Sequence, residues 1–189
     1  TTFGERFLYG LYAFGAILSY YAIYSYFQLY LTDIGLSAVV VGTIFIISKV
    51  WDAVNDPMFG VIVDKVHLKG GKFIPWLKLG AIAIPLTTIL MFIIPSGLSM
   101  TFKIIWALVS LIFWDLAYTM YDTPINALAT VATTDTNERN RMYAGAGFGV
   151  YLGGILVAIL VPMLYPVIGW SFTIIALSIL CFISMIPLP

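Results

Sequence analysis

Charge is scarce in this sequence: of 189 residues, 10% are Asp, Glu, Lys or Arg and 61% are hydrophobic, against about 25% and about 45–50% in soluble domains. A soluble fold needs a charged surface, so an ordinary globular domain is excluded. Nine basic residues are matched by nine acidic ones, which leaves no excess to neutralise a phosphate backbone and excludes nucleic-acid binding. Cysteine is nearly absent. The one residue, Cys181, permits no intrachain disulfide, no CxxC redox pair and no cysteine zinc site. The one histidine, His67, falls among loop lysines and reads as a solvated side chain rather than a proton relay or ligand. No low-complexity tract or Pro/Ser linker divides the chain.

Long apolar runs are what remain. A bilayer-spanning helix takes about 20 residues, and six such runs are expected at 7–31, 38–63, 76–94, 102–123, 143–164 and 170–186. The fourth is expected to stop before Pro124, and Tyr165-Pro166-Val167-Ile168-Gly169 to separate the fifth from the sixth. The spacing therefore predicts an all-α membrane protein, with residues 1–189 as a single six-helix transmembrane bundle. Arg6, Lys65, Lys69, Lys72, Lys78, Arg139 and Arg141 fall on one side of these runs, Lys103 alone on the other and Lys49 inside a run. Short loops rich in Lys and Arg stay cytoplasmic, so both termini are expected there.

Ionisable residues within a span are costly, face a cavity or a partner, and mark ion or substrate paths. The second run carries Lys49, Asp52, Asn55 and Asp56 at spacings of three and four, which is one face of a helix. The fourth carries Asp115, Thr119, Asp122 and Asn126 at spacings of four, three and four, a second stripe able to face the first. Four carboxylates against one ammonium give a local formal charge of minus three, which calls for a cation or protons. Carboxylate, amide and hydroxyl oxygens are hard ligands suited to Na⁺ or Li⁺, while a carboxyl kept out of water can carry H⁺ instead. A blander account is available for two of these residues: Lys49 as the neutralising partner of Asp52, and Asp115 near a helix end in water.

The first run holds seven tyrosines. Those at its ends suit an interfacial belt, but Tyr20 and Tyr24, four residues apart in the middle, need partners for their hydroxyls or a ligand to stack on, such as a sugar. Gly145, Gly147, Gly149, Gly153 and Gly154 suggest close helix packing in the fifth run. After the second run, Gly60 and Asp64-Lys65 suggest close approach and charge pairing at a cytoplasmic face, to which Arg139 and Arg141 would contribute.

The stretch Trp51-Asp52-Ala53-Val54-Asn55-Asp56-Pro57-Met58-Phe59-Gly60, followed by Gly71-Lys72-Phe73-Ile74-Pro75-Trp76, resembles the melibiose-permease-like glycoside/pentoside/hexuronide:cation symporters of the major facilitator superfamily. The resemblance reaches from Tyr9-Gly10 through the sixth run and matches the first six of that family's twelve helices. Read this way, a chain that opens without methionine and stops at Ile186-Pro187-Leu188-Pro189 is expected to be an amino-terminal half whose carboxy-terminal six-helix partner is missing. The resemblance implies alternating-access symport of a sugar or glycoside in the bacterial cytoplasmic membrane, with Na⁺, Li⁺ or H⁺ as coupling cation and no other cofactor. It implies that Asp52, Asn55, Asp56, Thr119 and Asp122 bind the cation, with Na⁺ at Asp52, Asp56 and Asp122. Asp122 would also serve the sugar, joined by Tyr20, Tyr24, Asp115 and Asn126, while Gly60, Asp64, Lys65, Arg139 and Arg141 form a cytoplasmic gate. The family's usual sugar positions are mostly not kept: its helix-one acid falls at Ile17, a tryptophan at Asn126 and the helix-five arginine near Gly147. Two rival readings are a lipid or lysolipid carrier on the same fold and an intramembrane aspartyl protease, although the GxGD motif of the latter is missing.

Overall fold

The computed structural model describes residues 2–66 and 69–187, so His67 lies outside the described residues. Every described element is helical: α1 (Phe3–Asp33), α2 (Ala38–Lys65), α3 (Ile74–Met91), α4 (Met100–Ala132) and α5 (Thr136–Met185). All five are long and apolar enough to cross a bilayer.

Local chemistry sets their ends. Thr2 and Glu5 form a reciprocal capping box at the start of α1, the Thr2 Oγ1 accepting from Glu5 N at 3.3 Å and Glu5 Oε2 from Thr2 N at 2.7 Å. The same helix ends at Gly35, whose φ of 100° allows its N–H to reach Thr32 O and that of Leu36 to reach Leu31 O, both at 3.0 Å. The Lys103 ammonium donates to Ile34 O at 3.1 Å, placing a cation on that carbonyl end. Ser37 caps α2 and Asp135 caps α5.

Pro124 does not end α4, which continues to Ala132. Proline removes one N–H; here it is buried, the good helix formers of Ala127-Leu128-Ala129 follow, and the Tyr9 hydroxyl holds Ile125 O at 3.2 Å. At α5 the expected five-residue break shrinks to one residue. Gly169 (φ 83°, ψ 166°) is the sole non-helical position in 50 residues, a length of about 75 Å if straight. It turns the chain back along α1. Before the turn Gly149 meets the Gly10 backbone and Gly154 the Tyr21 ring; after it Cys181 and Met185 meet Gly15. Trp170, stacked on Tyr165 at 4.2 Å, closes the turn by donating to Asp33 Oδ2 at 2.9 Å.

The α1–α5 contact is backbone on backbone where Gly10 meets Gly145 and Gly149, and elsewhere its glycines make room for side chains of the facing segment. A Cβ on Gly149 would lie 2.3 Å from Gly10 O, and one on Gly153 2.3 Å from Ile17 Cγ2. Gly147 is different from its neighbours, with nothing within 4 Å of such an atom, so it does not belong to the packing seam expected of it. On its other flank α1 is pinned by hydroxyls: Tyr12 Oη donates to Leu77 O at 2.6 Å, Ser19 and Thr88 pair at 2.5 Å, and Tyr30 Oη accepts from Ile94 N at 3.0 Å. In an apolar medium each such polar group needs a partner inside the protein. These ties hold α1 and α3 together and leave α2 to lean on α4.

Candidate functional site

The site lies where α2 and α4 face each other across the middle of α1. Tyr20, Tyr24, Lys49, Asp52, Asp56, Trp114, Asp115, Tyr118, Thr119 and Asp122 line one cavity of about 370 Å³. The two polar stripes therefore converge, as their helical spacing predicts.

Thr119 is the centre of a polar chain that runs from the buried Asn55 to the exposed Asp56. Its hydroxyl accepts from Asn55 Nδ2 at 2.8 Å and lies 3.0 Å from Asp56 Oδ1 and 2.9 Å from Asp115 O, two acceptors for its one proton. Asn55 is fully buried, and its Oδ1 has no hydrogen-bond partner. A buried amide oxygen left without a donor is costly and is a ready ligand for a cation. One turn along α4, Asp115 is 2% exposed and receives the Ser48 hydroxyl. It lies in the buried interior, not in water at a helix end.

Lys49 is half-exposed. Its ammonium lies 3.0 Å from Asp52 Oδ2 and 4.7 Å above the Tyr24 ring. That pairing draws Asp52 toward α2, and among the described residues no three Asp, Glu, His or Cys side chains close into a metal-holding group. The three carboxylates expected to hold Na⁺ thus share a cavity without forming a cage. A cation in the cavity would draw on the Thr119 hydroxyl as well as on carboxylate; Asn55 does not line the cavity and stands behind Thr119, to which it donates.

The rest of the lining is aromatic. Tyr20 lies 4.5 Å from Tyr24, 5.4 Å from Tyr118 and 6.3 Å from Trp114, ring centre to ring centre. Trp114 donates its indole N–H to Ser19 Oγ at 2.7 Å, which fixes the ring. A π-helical segment, Ile23–Phe27, interrupts α1 at this level. The extra residue in its turn re-phases the helix, so that Tyr20 and Tyr24 face the cavity while Phe27 and Tyr30 turn to Phe92.

Two groups of expected site residues are placed differently. Asn126 is not on the cavity wall; its amide folds back one turn onto Asp122 O at 2.8 Å and Asp122 Oδ1 at 3.3 Å. The gate residues are dispersed. Asp64 pairs at 2.8 Å with Lys72, which the following loop brings back to it, while Arg141 joins Arg6 on a separate apolar groove between α1 and α5. Gly60 meets nothing within 4 Å, so it serves no close approach here. Conversely Ser48, Trp114 and Tyr118 belong to the site although no charge marks them in the sequence. Their spacing does: Ser48 lies four residues before Asp52, and Trp114, Tyr118 and Asp122 are four apart.

Residues 8–188 match the family described as MFS/sugar transport protein. The chain is 30% identical over 170 residues to the isoprimeverose transporter of Lactiplantibacillus pentosus, covering 89% of this chain and 35% of that protein. It is 37% identical over 139 residues to the putative glycoside/cation symporter YagG of Escherichia coli K12, covering 73% and 30%. A glucuronide carrier protein homolog from the same organism is 30% identical over 133 residues, covering 70% and 29%. The chain spans about a third of the length of these curated relatives. They are transporters rather than enzymes, which removes the intramembrane protease reading. With five bilayer-length apolar helices around a carboxylate-lined cavity and a match over nearly all its length, this chain belongs to the MFS/sugar transport protein family and is an integral membrane protein.

Proposed function

We propose that the chain is one half of a cation-coupled sugar symporter of the bacterial cytoplasmic membrane, in which Asp52, Asn55, Asp56, Thr119 and Asp122 bind the coupling cation. The observation that carries this reading is the buried Asn55–Thr119 pair, with its unpartnered amide oxygen and its link to the exposed Asp56, set beside an excess of carboxylate. The turn at Gly169 divides α5 into two spans, giving six in all, with both termini cytoplasmic by the placement of the basic residues. A second six-helix bundle completes a twelve-helix carrier, so that substrate and ion meet near the membrane midplane between the two halves.

Tyr20, Tyr24, Asp115 and Asp122 form this half's share of the sugar site. A mixed lining of carboxylates and aromatic rings suits a polyhydroxylated pyranose better than an acyl chain, which speaks against the lipid-carrier alternative. Asp122 belongs to both sites. A cation that fixes its carboxylate and reduces the local negative charge raises sugar affinity, and linkage requires the sugar to raise cation affinity by the same factor. Asp64 and Lys65, with Arg139 and Arg141, act at the cytoplasmic face when the halves close, a step in which Asp64 exchanges its present Lys72 partner.

The test is uptake by the full-length carrier of labelled glycosides, pentosides and hexuronides, with Na⁺, Li⁺ or a proton gradient imposed separately. Accumulation driven by one of these gradients is expected. Uptake that ignores all three, or no sugar uptake at all, overturns the proposal.

A further inference from the structure

We infer that this cavity selects neutral glycosides and rejects the corresponding hexuronides, and that Asp115 sets that preference; the inference rests on the sugar-symport reading above. On this half's side of the cavity Asp52, Asp56, Asp115 and Asp122 oppose the single ammonium of Lys49, a formal balance of minus three. Lys49 is already committed, its Nζ 3.0 Å from Asp52 Oδ2 and over the Tyr24 ring. It offers no free cation to an incoming carboxylate. One bound monovalent cation still leaves a formal minus two, and an ionised uronate brought into that field meets like charge in surroundings of low dielectric.

A neutral pyranose meets the opposite balance. Its apolar C–H face can lie on Tyr20, Trp114 or Tyr118, whose rings are packed 5.0–6.3 Å apart. Its hydroxyls donate to the carboxylates, and such charge-assisted bonds are strong where water is excluded. Asp115 is the acid best placed to decide the sign. It is 2% exposed and lines the cavity between the aromatic side chains Trp114 and Tyr118, and its hydrogen-bond partner is the neutral hydroxyl of Ser48. The charged groups of α2 that share its cavity are Lys49, Asp52 and Asp56. On this half of the carrier Lys49 is the one cation that acts on Asp115, and it is shared with Asp52, so the Asp115 charge is only partly offset.

The experiment compares p-nitrophenyl xyloside, glucoside and glucuronide, in both anomers, as substrates of the full-length carrier at neutral pH. The three share one ring stereochemistry and differ at C5, which bears hydrogen, a hydroxymethyl group or a carboxylate. Xyloside or glucoside uptake exceeding that of the glucuronide by about tenfold or more is expected. Glucuronide uptake equal to or above the neutral pair overturns the inference while leaving sugar symport intact. Transport of none of the three by protein shown to be folded overturns the symport reading, and the inference with it. In a second arm, Asp115→Asn is expected to raise the glucuronide-to-glucoside ratio by about threefold or more, since one like charge is gone. An unchanged ratio overturns the assignment to Asp115.

Discussion

The α1–α5 contact and the α2–α4 contact join helices of similar apolar character in opposite ways. Along α1–α5, glycines bring backbone against backbone, and a single methyl group at Gly149 would collide with Gly10 O at 2.3 Å. Between α2 and α4, a hydroxyl, an amide and carboxylates meet through hydrogen bonds of 2.8–3.0 Å beside a cavity of about 370 Å³. Without a hydrophobic force between helices in lipid, close van der Waals contact and interhelical hydrogen bonds are the two means of holding a bundle together. The first leaves no room for an occupant and makes a rigid frame. The second leaves polar groups partly unsatisfied, as Asn55 Oδ1 shows, and so makes a site whose stability depends on what enters it.

Substitutions can break this contrast. The largest effect is expected for Asp56→Cys, which removes the carboxylate nearest Thr119: cation-dependent uptake by the full-length carrier should fall to background with membrane levels retained, and a variant that keeps full cation coupling contradicts the assignment. Next is Gly149→Leu, which forces atoms into the Gly10 backbone. A loss of about 3 kcal/mol or more is expected from such overpacking, read as lost folded protein in detergent, and unaltered thermal stability would show that the seam yields. Asn55→Ala separates function from frame. It deletes an amide that touches Thr119, and a drop of about tenfold in cation affinity is expected from the lost buried polar ligand, measured by cation activation of uptake, with the folded yield little changed. The smallest effect belongs to Gly147→Ala, close to the seam in sequence but with nothing within 4 Å. Alanine there relieves a helix-interior glycine at no steric cost, so stability should rise by about 0.5–1 kcal/mol, and a loss like that at Gly149 would place it in the seam after all.

The polar stripes are legible in the sequence because an ionisable residue inside an apolar run is costly unless it faces a cavity or a partner, and because spacings of three and four fix its face. Aromatic residues carry no such surprise. Trp114 and Tyr118 look like ordinary apolar-face residues until Tyr20 and Tyr24 are seen against them. The π-helical turn at Ile23–Phe27 has no motif in the sequence, since it arises from how α1 must face two different neighbours above and below that level. Asn126 leaves the expected wall for a local reason: its amide finds the Asp122 carbonyl four residues back, a partner always within reach on a helix. Helix ends are legible where glycine or capping side chains mark them and obscure at Pro124, where burial outweighs the missing N–H.

The central claim is that one carboxylate, Asp122, serves both the coupling cation and the sugar. The most direct measurement is the cation affinity of the full-length carrier with and without saturating sugar, paired with sugar affinity with and without saturating cation. The account predicts equal enhancement factors in the two experiments, and their collapse toward unity in Asp122→Asn. Cation and sugar affinities that are independent of each other in the unmutated carrier would contradict it.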